Sequence, residues 1–317
     1  MSAGADAALE VVRAGALTTV QDLGRLGLAH LGVPRSGAAD MDAHLRANAL
    51  VGNGPGAATL ETTATGCALR VHGEAVVAVE GAPCRVRVGD VPAPWGAPVR
   101  LRAGQVLEVG AAVDGLRSYV AVRGGVDADV VLGSRSTDLL SGLGPAPLRV
   151  GATLAVGSEV DGEPAFATMG ALRSGVIDGG AAGLSGAAVT EMSVAHHAPA
   201  VQLPLVLGPR ADWFTARALA ALDGAEYVVT SESNRVGLRL DGPPLHGAHA
   251  GELPSEGMVL GAVQVPPSGL PVVFLADHPT TGGYPVVGVV TRQGVARASQ
   301  AAPGSRVRFA IADPRAL

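Results

Sequence analysis

No lysine occurs in this chain, so all 23 basic residues are arginines. Without lysine there is no Schiff-base amine, no P-loop lysine for nucleotide phosphates and no attachment point for biotin. ATP hydrolysis or biotin carriage would therefore fall to another chain. Aromatic residues make up only 3%, which leaves alanine and small aliphatic side chains to fill the interior. The two cysteines, Cys67 and Cys84, are too few for a disulfide framework. Both sit in strand-like flanks and read as buried free thiols of a reducing compartment. The net charge is −5 and no basic run is visible, which argues against nucleic acid as a ligand. The N-terminus lacks a basic segment followed by an apolar core, and no apolar run approaches the about 20 residues that cross a bilayer. Neither a signal peptide nor a membrane partner is expected, and the expected location is the cytoplasm.

What is present points to a packed β protein. Apolar residues reach 48% of 317 and charged residues only 16%, a balance that favours a core over disorder and is long enough for about two domains. The 45 glycines and 22 prolines have no collagen-like period and imply many turns between short strands. Strand-like runs are Leu9–Val12, Thr59–Thr63, Ala68–Val71, Ala75–Val79, Arg85–Val88, Val99–Leu101, Val106–Val109 and Ser118–Val122. Their spacing suits a sandwich or barrel better than alternating strand–helix units. One helix is expected after an Asp40 cap, with Met41, Leu45 and Ala49 on one face and Gly52 as its stop. A second is expected between Asp212 and Gly224, with Trp213, Leu219 and Leu222 on one side. The two helix signals, each followed by a pair of strand signals, read as a weak internal duplication whose second copy is the longer. The expected division is an N-terminal β unit over 1–157, a Gly/Ala-rich linker over 158–200 and a C-terminal β unit over 201–317.

The densest chemistry lies between two apolar runs, Val272–Ala276 and Val286–Val290. The insert between them runs Asp277, His278, Pro279, Thr280, Thr281, Gly282, Gly283, Tyr284, Pro285. It offers a carboxylate, an imidazole, hydroxyls, a phenol, and two glycines that free backbone N–H groups for an oxyanion. The simpler alternative is a decorated turn with Asp277 bonding its own backbone, but a turn has no need of Tyr284 and both threonines. Upstream, Gln264 interrupts an apolar strand and must find hydrogen-bond partners if buried. Two imidazoles and a carboxylate, His246, His249 and Glu252, are interrupted by glycines. A loop facing water is the simpler reading there, no metal site is expected, and polar-substrate contact is the more credible function. Gly52 to Ala57 matches a dinucleotide fingerprint, yet it follows a helix and contains Pro55, so it reads as a helix stop. Arg25, Ser36 and Asp40, with Arg135, Ser136 and Asp138, read by default as loop-knitting polar groups.

Several of these segments also carry a resemblance. GALTTVQDLGRLGLAHLGVPRSGAADMDAHLRANALVGN (Gly15–Asn53), RSYVAVRGGVD (Arg117–Asp127), VLGSRSTDLLSGLG (Val131–Gly144), SNRVGLRLDGPPLH (Ser233–His246), GAVQVPPSGLPV (Gly261–Val272) and DHPTTGGYP (Asp277–Pro285) are similar, in order, to the allophanate hydrolase subunit 2-like family, also called the biotin-dependent carboxyltransferase family. His278 departs from the family's commoner arginine. The resemblance implies two cyclophilin-like β-barrel units and a separate partner chain of the subunit 1-like type (the B component of a 5-oxoprolinase). The activity it most implies is that of the C component of a 5-oxoprolinase, with ATP used by the A component, a third chain. One alternative is the carboxyltransferase part of a urea or amide carboxylase, with biotin on another chain. Another is a regulatory antagonist of a kinase inhibitor. For a lactam bearing a carboxylate, the expected proton-handling and catalytic residues are Asp277, His246 and Thr281. Arg235 would hold the carboxylate, and Glu252, Ser255, Gln264, Thr280, Gly282, Gly283 and Tyr284 would line the substrate site.

Overall fold

Short aliphatic runs cut by glycine and proline bury one sheet face at a time, and the chain accordingly folds as strands of seven residues or fewer. The computed structural model describes residues 7–166, 199–248 and 253–312. The fold is mainly β, with three α-helices among the described residues, and its contacts divide it into two units.

The first unit draws its described residues from Met1–Asp22, Asp42–Asp129 and Pro147–Ala198. Its strands are β1 (Ala8–Arg13), β2 (Leu17–Gln21), β3 (Thr59–Thr63), β4 (Cys67–His72), β5 (Ala75–Gly81), β6 (Cys84–Val88), β7 (Val91–Ala93), β8 (Val99–Leu101), β9 (Val106–Ala112), β10 (Arg117–Val122), β11 (Gly124–Asp127) and β12 (Thr153–Glu159). They form a seven-stranded sheet in the order β11-β12-β1-β4-β9-β6-β7 and a five-stranded sheet in the order β2-β3-β10-β5-β8. Alternate residues of both sheets face one core: Cys67, Leu69 and Val71 from β4 meet Leu60, Val77 and Val120 from the other sheet. The expected pairing of β3 with β4 does not occur, because the two lie in different sheets. Ala64 and Gly66, both with left-handed backbone (φ 57° and 66°), swing the chain from one sheet to the other. Cys67 and Cys84 are free and buried. Burial pushes the Cys67 thiol up to about 12, which makes it unreactive.

Helix α1 (Met41–Val51) turns Ala43, His44, Ala47, Asn48 and Val51 inward. His44 is fully buried, with Nε2 3.1 Å from the Pro55 carbonyl and Nδ1 2.9 Å from the Thr59 hydroxyl. A carbonyl only accepts, so Nε2 carries a proton.

The second unit contains Leu23–Met41, Val130–Ala146 and the described residues of Pro199–Leu317. Segments 23–41 and 130–146, assigned from sequence to the N-terminal unit, therefore pack with the C-terminal one. The physical cause is a set of long-range polar contacts described below. Strands β13 (Val201–Leu207), β14 (Glu226–Val229), β15 (Gly237–Asp241), β17 (Ala262–Gln264), β18 (Val272–Phe274), β20 (Val286–Val290) and β21 (Arg306–Ile311) make a closed barrel in the order β13-β20-β17-β18-β15-β14-β21. Closure is by parallel pairing of β13 with β21. Leu203, Leu205, Tyr227, Leu238, Val263, Val273 and Phe309 point inward and fill it. Two very short strands, β16 (Glu256–Gly257) and β19 (Thr281–Gly282), pair outside the barrel.

Helix α2 (Ala216–Leu222) begins later than its sequence signal. Asp212 lies in a 3₁₀ turn, Pro209–Trp213, and the cap is Thr215, whose hydroxyl accepts the Ala218 N–H. Helix α3 (Arg292–Gln300), capped by Thr291, had no sequence signal strong enough to announce it. A helix ahead of a run of strands recurs in both units, as the duplication implied, although the described barrel closes only in the second. No helix among the described residues is long and apolar enough to cross a membrane.

Candidate functional site

The second unit is organised around a buried ion pair. The Arg235 guanidinium donates from Nε to Asp277 Oδ2 at 3.0 Å and from Nη2 to Oδ1 at 2.9 Å. Nη2 also donates to the Gly37 carbonyl at 2.6 Å, and the Leu139 N–H donates to Asp277 Oδ2 at 3.1 Å. Both side chains are 0% exposed. One pair thus ties three distant stretches, around residues 37, 139 and 277, to the root of β15. Burial pushes the Asp277 carboxyl up while the Arg235 charge and hydrogen bonds pull it back, and the balance is upward.

A second polar layer lies beside it. Ser36, held at φ 55°, donates to Asp138 Oδ2 at 2.6 Å and accepts from Arg25 Nη1 at 3.1 Å. Asp138 Oδ1 receives the Leu140 and Ser141 N–H groups. Arg25 also donates to the Val131 and Ser136 carbonyls. At Gly144 a Cβ would lie 2.1 Å from the Ser136 carbonyl, so only glycine fits that crossing. These residues read from sequence as loop-knitting groups, and here they join one network.

The insert after β18 is not a hairpin. β17 lies between β18 and β20 in the barrel, so residues 277–285 bridge across its end. Thr281 and Gly282 pair with Gly257 and Glu256, and the Met258 N–H donates to the Thr280 carbonyl at 2.9 Å. From below, Gln264, 7% exposed, donates from Nε2 to the Tyr284 carbonyl at 3.3 Å. A Cβ on Gly282 would stand 2.6 Å from that same Nε2. The Arg210–Glu256 ion pair flanks the strand pair, and Arg210 holds the Glu256 carboxyl below its usual range.

The structure thus brings together Ser255, Gln264, Thr280, Thr281, Gly282, Gly283 and Tyr284 at one end of the barrel. Ser255, Thr281 and Tyr284 are exposed there, while Thr280, Gly282 and Gly283 are half-buried. Arg235 and Asp277 have a setting different from the one expected. Both are closed off from solvent and directed at each other, so their influence on a ligand passes through the backbone they hold. His246 is exposed, and its carbonyl receives the Thr215 N–H at 3.5 Å, apart from the loop's own hydrogen bonds. Glu252 and His249 lie outside the described residues, as does most of the expected linker.

His278, which the sequence offers as the imidazole of the insert and as a departure from the family's arginine, is 6% exposed. Its Nδ1 lies 2.8 Å from the Pro279 carbonyl, which places the proton on Nδ1. The ring stacks on Phe274 at 6.2 Å between centroids and 29° between planes. Burial above all, and then the Arg35 charge, lower its pKa. Burial likewise lowers that of His44. A base whose pKa is depressed by folding binds fewer protons folded than unfolded, so stability is complete above the unfolded value of 6.5 and falls as pH drops below it. The slope contributed is at most about 1.4 kcal/mol per pH unit for each histidine. Urea midpoints between pH 7.5 and 5 are expected to decline less steeply in His44→Gln than in the parent chain.

Comparison with known proteins agrees with this architecture. The model of the carboxyltransferase domain, subdomains A and B, matches residues 31–311. The chain is 33% identical to the C component of 5-oxoprolinase from Escherichia coli over 305 residues, covering 95% of this chain and 90% of that one. It is 30% identical to the urea amidolyase of Lachancea kluyveri over 314 residues, 95% of this chain but only 17% of the relative. The crystal structure of Kluyveromyces lactis urea carboxylase superposes with a TM-score of 0.82 at 28% identity, over 96% of this chain and 27% of that one. On the match over residues 31–311, the chain belongs to the carboxyltransferase-domain family, subdomains A and B.

Proposed function

We propose that this chain is the C component of an ATP-dependent 5-oxoprolinase that opens 5-oxo-L-proline to L-glutamate. The observation that carries the reading is extent: the Escherichia coli C component is matched over 90% of its length, whereas the urea amidolyase contains the same region as 17% of a far longer chain. The likeness therefore takes in nearly all of the first relative and a small part of the second. The complex would include a partner chain of the B type and an A component that uses ATP, since this chain has no lysine to build a P-loop. Its expected place is the cytoplasm.

The barrel end around Thr280–Tyr284 suits the chemistry. Opening a lactam adds an oxygen nucleophile to the ring carbonyl, places negative charge on that oxygen, and then breaks the C–N bond with a proton delivered to nitrogen. Gly283, where an added Cβ would meet nothing nearer than 3.6 Å, leaves its backbone open to close approach, and an N–H donor aimed at such an oxyanion contributes about 3–4 kcal/mol. The exposed hydroxyls of Thr281, Tyr284 and Ser255 would exchange hydrogen bonds with the carboxylate and the ring nitrogen. Arg235 and Asp277 would act as positioning residues that fix the root of this loop, with His246 outside the immediate site.

A second reading has support of its own. The family model is that of a carboxyltransferase domain, and the urea amidolyase relative suggests a urea-like amide accepting a carboxyl group from biotin carried on another chain. Co-expression with neighbouring partner genes, followed by an assay for glutamate formed from 5-oxoproline and ATP, separates the two. Release that requires all chains supports the oxoprolinase. An intact complex that is inert toward 5-oxoproline and carboxylates a urea-like amide in the presence of a biotinylated carrier would sink it.

A further inference from the structure

Leu132 is unfavourable to folding on two separate counts. Its turn, Val131–Ser134, closes with the Val131 N–H donating to the Ser134 carbonyl at 2.9 Å and the Ser134 N–H donating to the Val131 carbonyl at 3.3 Å. Leu132 and Gly133 both take left-handed backbone there, at φ 53° and 80°. Two such residues in succession make the pattern of a type I′ turn, which prefers asparagine, aspartate or glycine at its first central position. A leucine strains that position because its Cβ crowds the following carbonyl. Burial does not compensate, since the Leu132 side chain is 50% exposed. Strain and exposure together mark a side chain retained for something other than folding.

The surface around it is apolar and firmly held. Arg25 donates to the Val131 carbonyl at 3.0 Å and to the Ser136 carbonyl at 2.7 Å, and Ser36 donates to Asp138 at 2.6 Å. Segments 23–41 and 130–146 therefore lie side by side. They leave Leu26, Leu31, Leu132, Leu139 and Leu140 between 37% and 65% exposed. Their charges are sorted by sign. The two carboxylates, Asp40 and Asp138, are buried, whereas Arg35 and Arg135 are half-buried and His30 is exposed. A chain of net charge −5 thus presents here an apolar surface with positive groups and no exposed carboxylate of its own.

We propose that this face of the second unit, with the Leu132 turn as part of it, is a docking surface for a protein chain that presents an apolar ridge flanked by carboxylates. A second copy of the same face fits poorly, because a two-fold contact would set arginine against arginine with no acidic group between them. A lipid surface fits poorly too: neither segment contains the tryptophan, tyrosine or lysine that seats a protein among headgroups. Naming the occupant as the B-type partner rests on the function proposed above. Leu139 carries the face toward the candidate site, since its N–H donates to Asp277 Oδ2 at the root of the Thr280–Tyr284 loop.

The test is co-expression with the B-type chain and sedimentation of the purified pair, beside urea unfolding of the full chain alone. Leu132→Asn relieves the left-handed strain, so the urea midpoint is expected at or above the parental value while the pair weakens about tenfold or more. Leu140→Glu sets a carboxylate against those of the partner. It is expected to weaken the pair by a similar factor, less so at high salt, with the midpoint unchanged. The proposal is overturned if the parent chain does not associate, if either variant associates as the parent does, or if Leu132→Asn lowers the midpoint. It is equally overturned if the isolated chain is a dimer that Leu132→Asn dissociates, or if phosphatidylserine vesicles retain the parent chain and not the variant. Turnover of 5-oxoproline by a complex that both variants leave fully associated would remove this surface and leave the proposed function standing. A complex that needs Leu132 to assemble yet is inert toward 5-oxoproline would support the surface and remove the proposed function.

Discussion

Arg235→Met is expected to destabilise the second unit by about 3–5 kcal/mol, because it leaves the Asp277 carboxylate buried without its counter-charge. Few single changes reach that size. The cause is the arrangement of the pair: two hydrogen bonds at 2.9 and 3.0 Å between side chains with no exposure. Asp277→Asn is expected to cost less, since an amide keeps the shape and one acceptor for Arg235 while the guanidinium retains the Gly37 carbonyl. Removing both charges in Arg235→Met/Asp277→Leu is expected to recover part of the loss. The Gly37 carbonyl and Leu139 N–H would still lack partners, a remaining penalty of about 1–3 kcal/mol for each buried orphan. Urea unfolding of the parent, Arg235→Met, Asp277→Leu and the double variant gives the coupling energy directly. A double variant no more stable than Arg235→Met would show that the charge is not what the arginine compensates.

Gly282→Val is expected to lower turnover of the assembled complex about a hundredfold, the scale of losing one well-placed oxyanion donor, with little change in unfolding midpoint. Its first side-chain carbon would stand 2.6 Å from Gln264 Nε2 and 3.3 Å from the Met258 sulfur. The Gln264 side chain must then turn away from the Tyr284 carbonyl, and the β16–β19 pairing loses its support from below. None of these atoms lies in the barrel's main hydrophobic core, which is why folding should be spared. The kcat fall is the measurement that matters. A variant with parental kcat and a lower urea midpoint would instead mark Gly282 as a packing residue.

Much of the fold was legible because burial left a period in the residues. The runs at Thr59–Thr63, Val99–Leu101 and Val286–Val290 coincide with β3, β8 and β20. β2 was missed for a physical reason: Thr18, Thr19 and Gln21 are all buried, so polar side chains occupy positions where an apolar alternation would have announced a strand. α3 was missed because its inward face is Gly294, Val295, Ala298 and Ser299, too small and mixed to stand out. The clustering of Thr280–Tyr284 was readable because those residues are consecutive. The partnership of Arg235 with Asp277 was not, since nothing local distinguishes an arginine aimed at substrate from one aimed at a carboxylate 42 residues away.

The interleaved course of the chain has a consequence for biosynthesis. Residues 23–41 leave the ribosome early, yet the arginine and the carboxylate that fix them stand at 235 and 277. At elongation rates of about 5–20 residues per second, that stretch waits on the order of ten to forty seconds for its partners. Through that interval Ser36, Ala38, Ala39 and Asp40, all buried in the folded protein, lack the arginine that anchors the Gly37 carbonyl among them. A nascent chain stalled before residue 235 would hold such a segment open to proteases and to chaperones, so the vulnerable moment in the life of this protein falls before release.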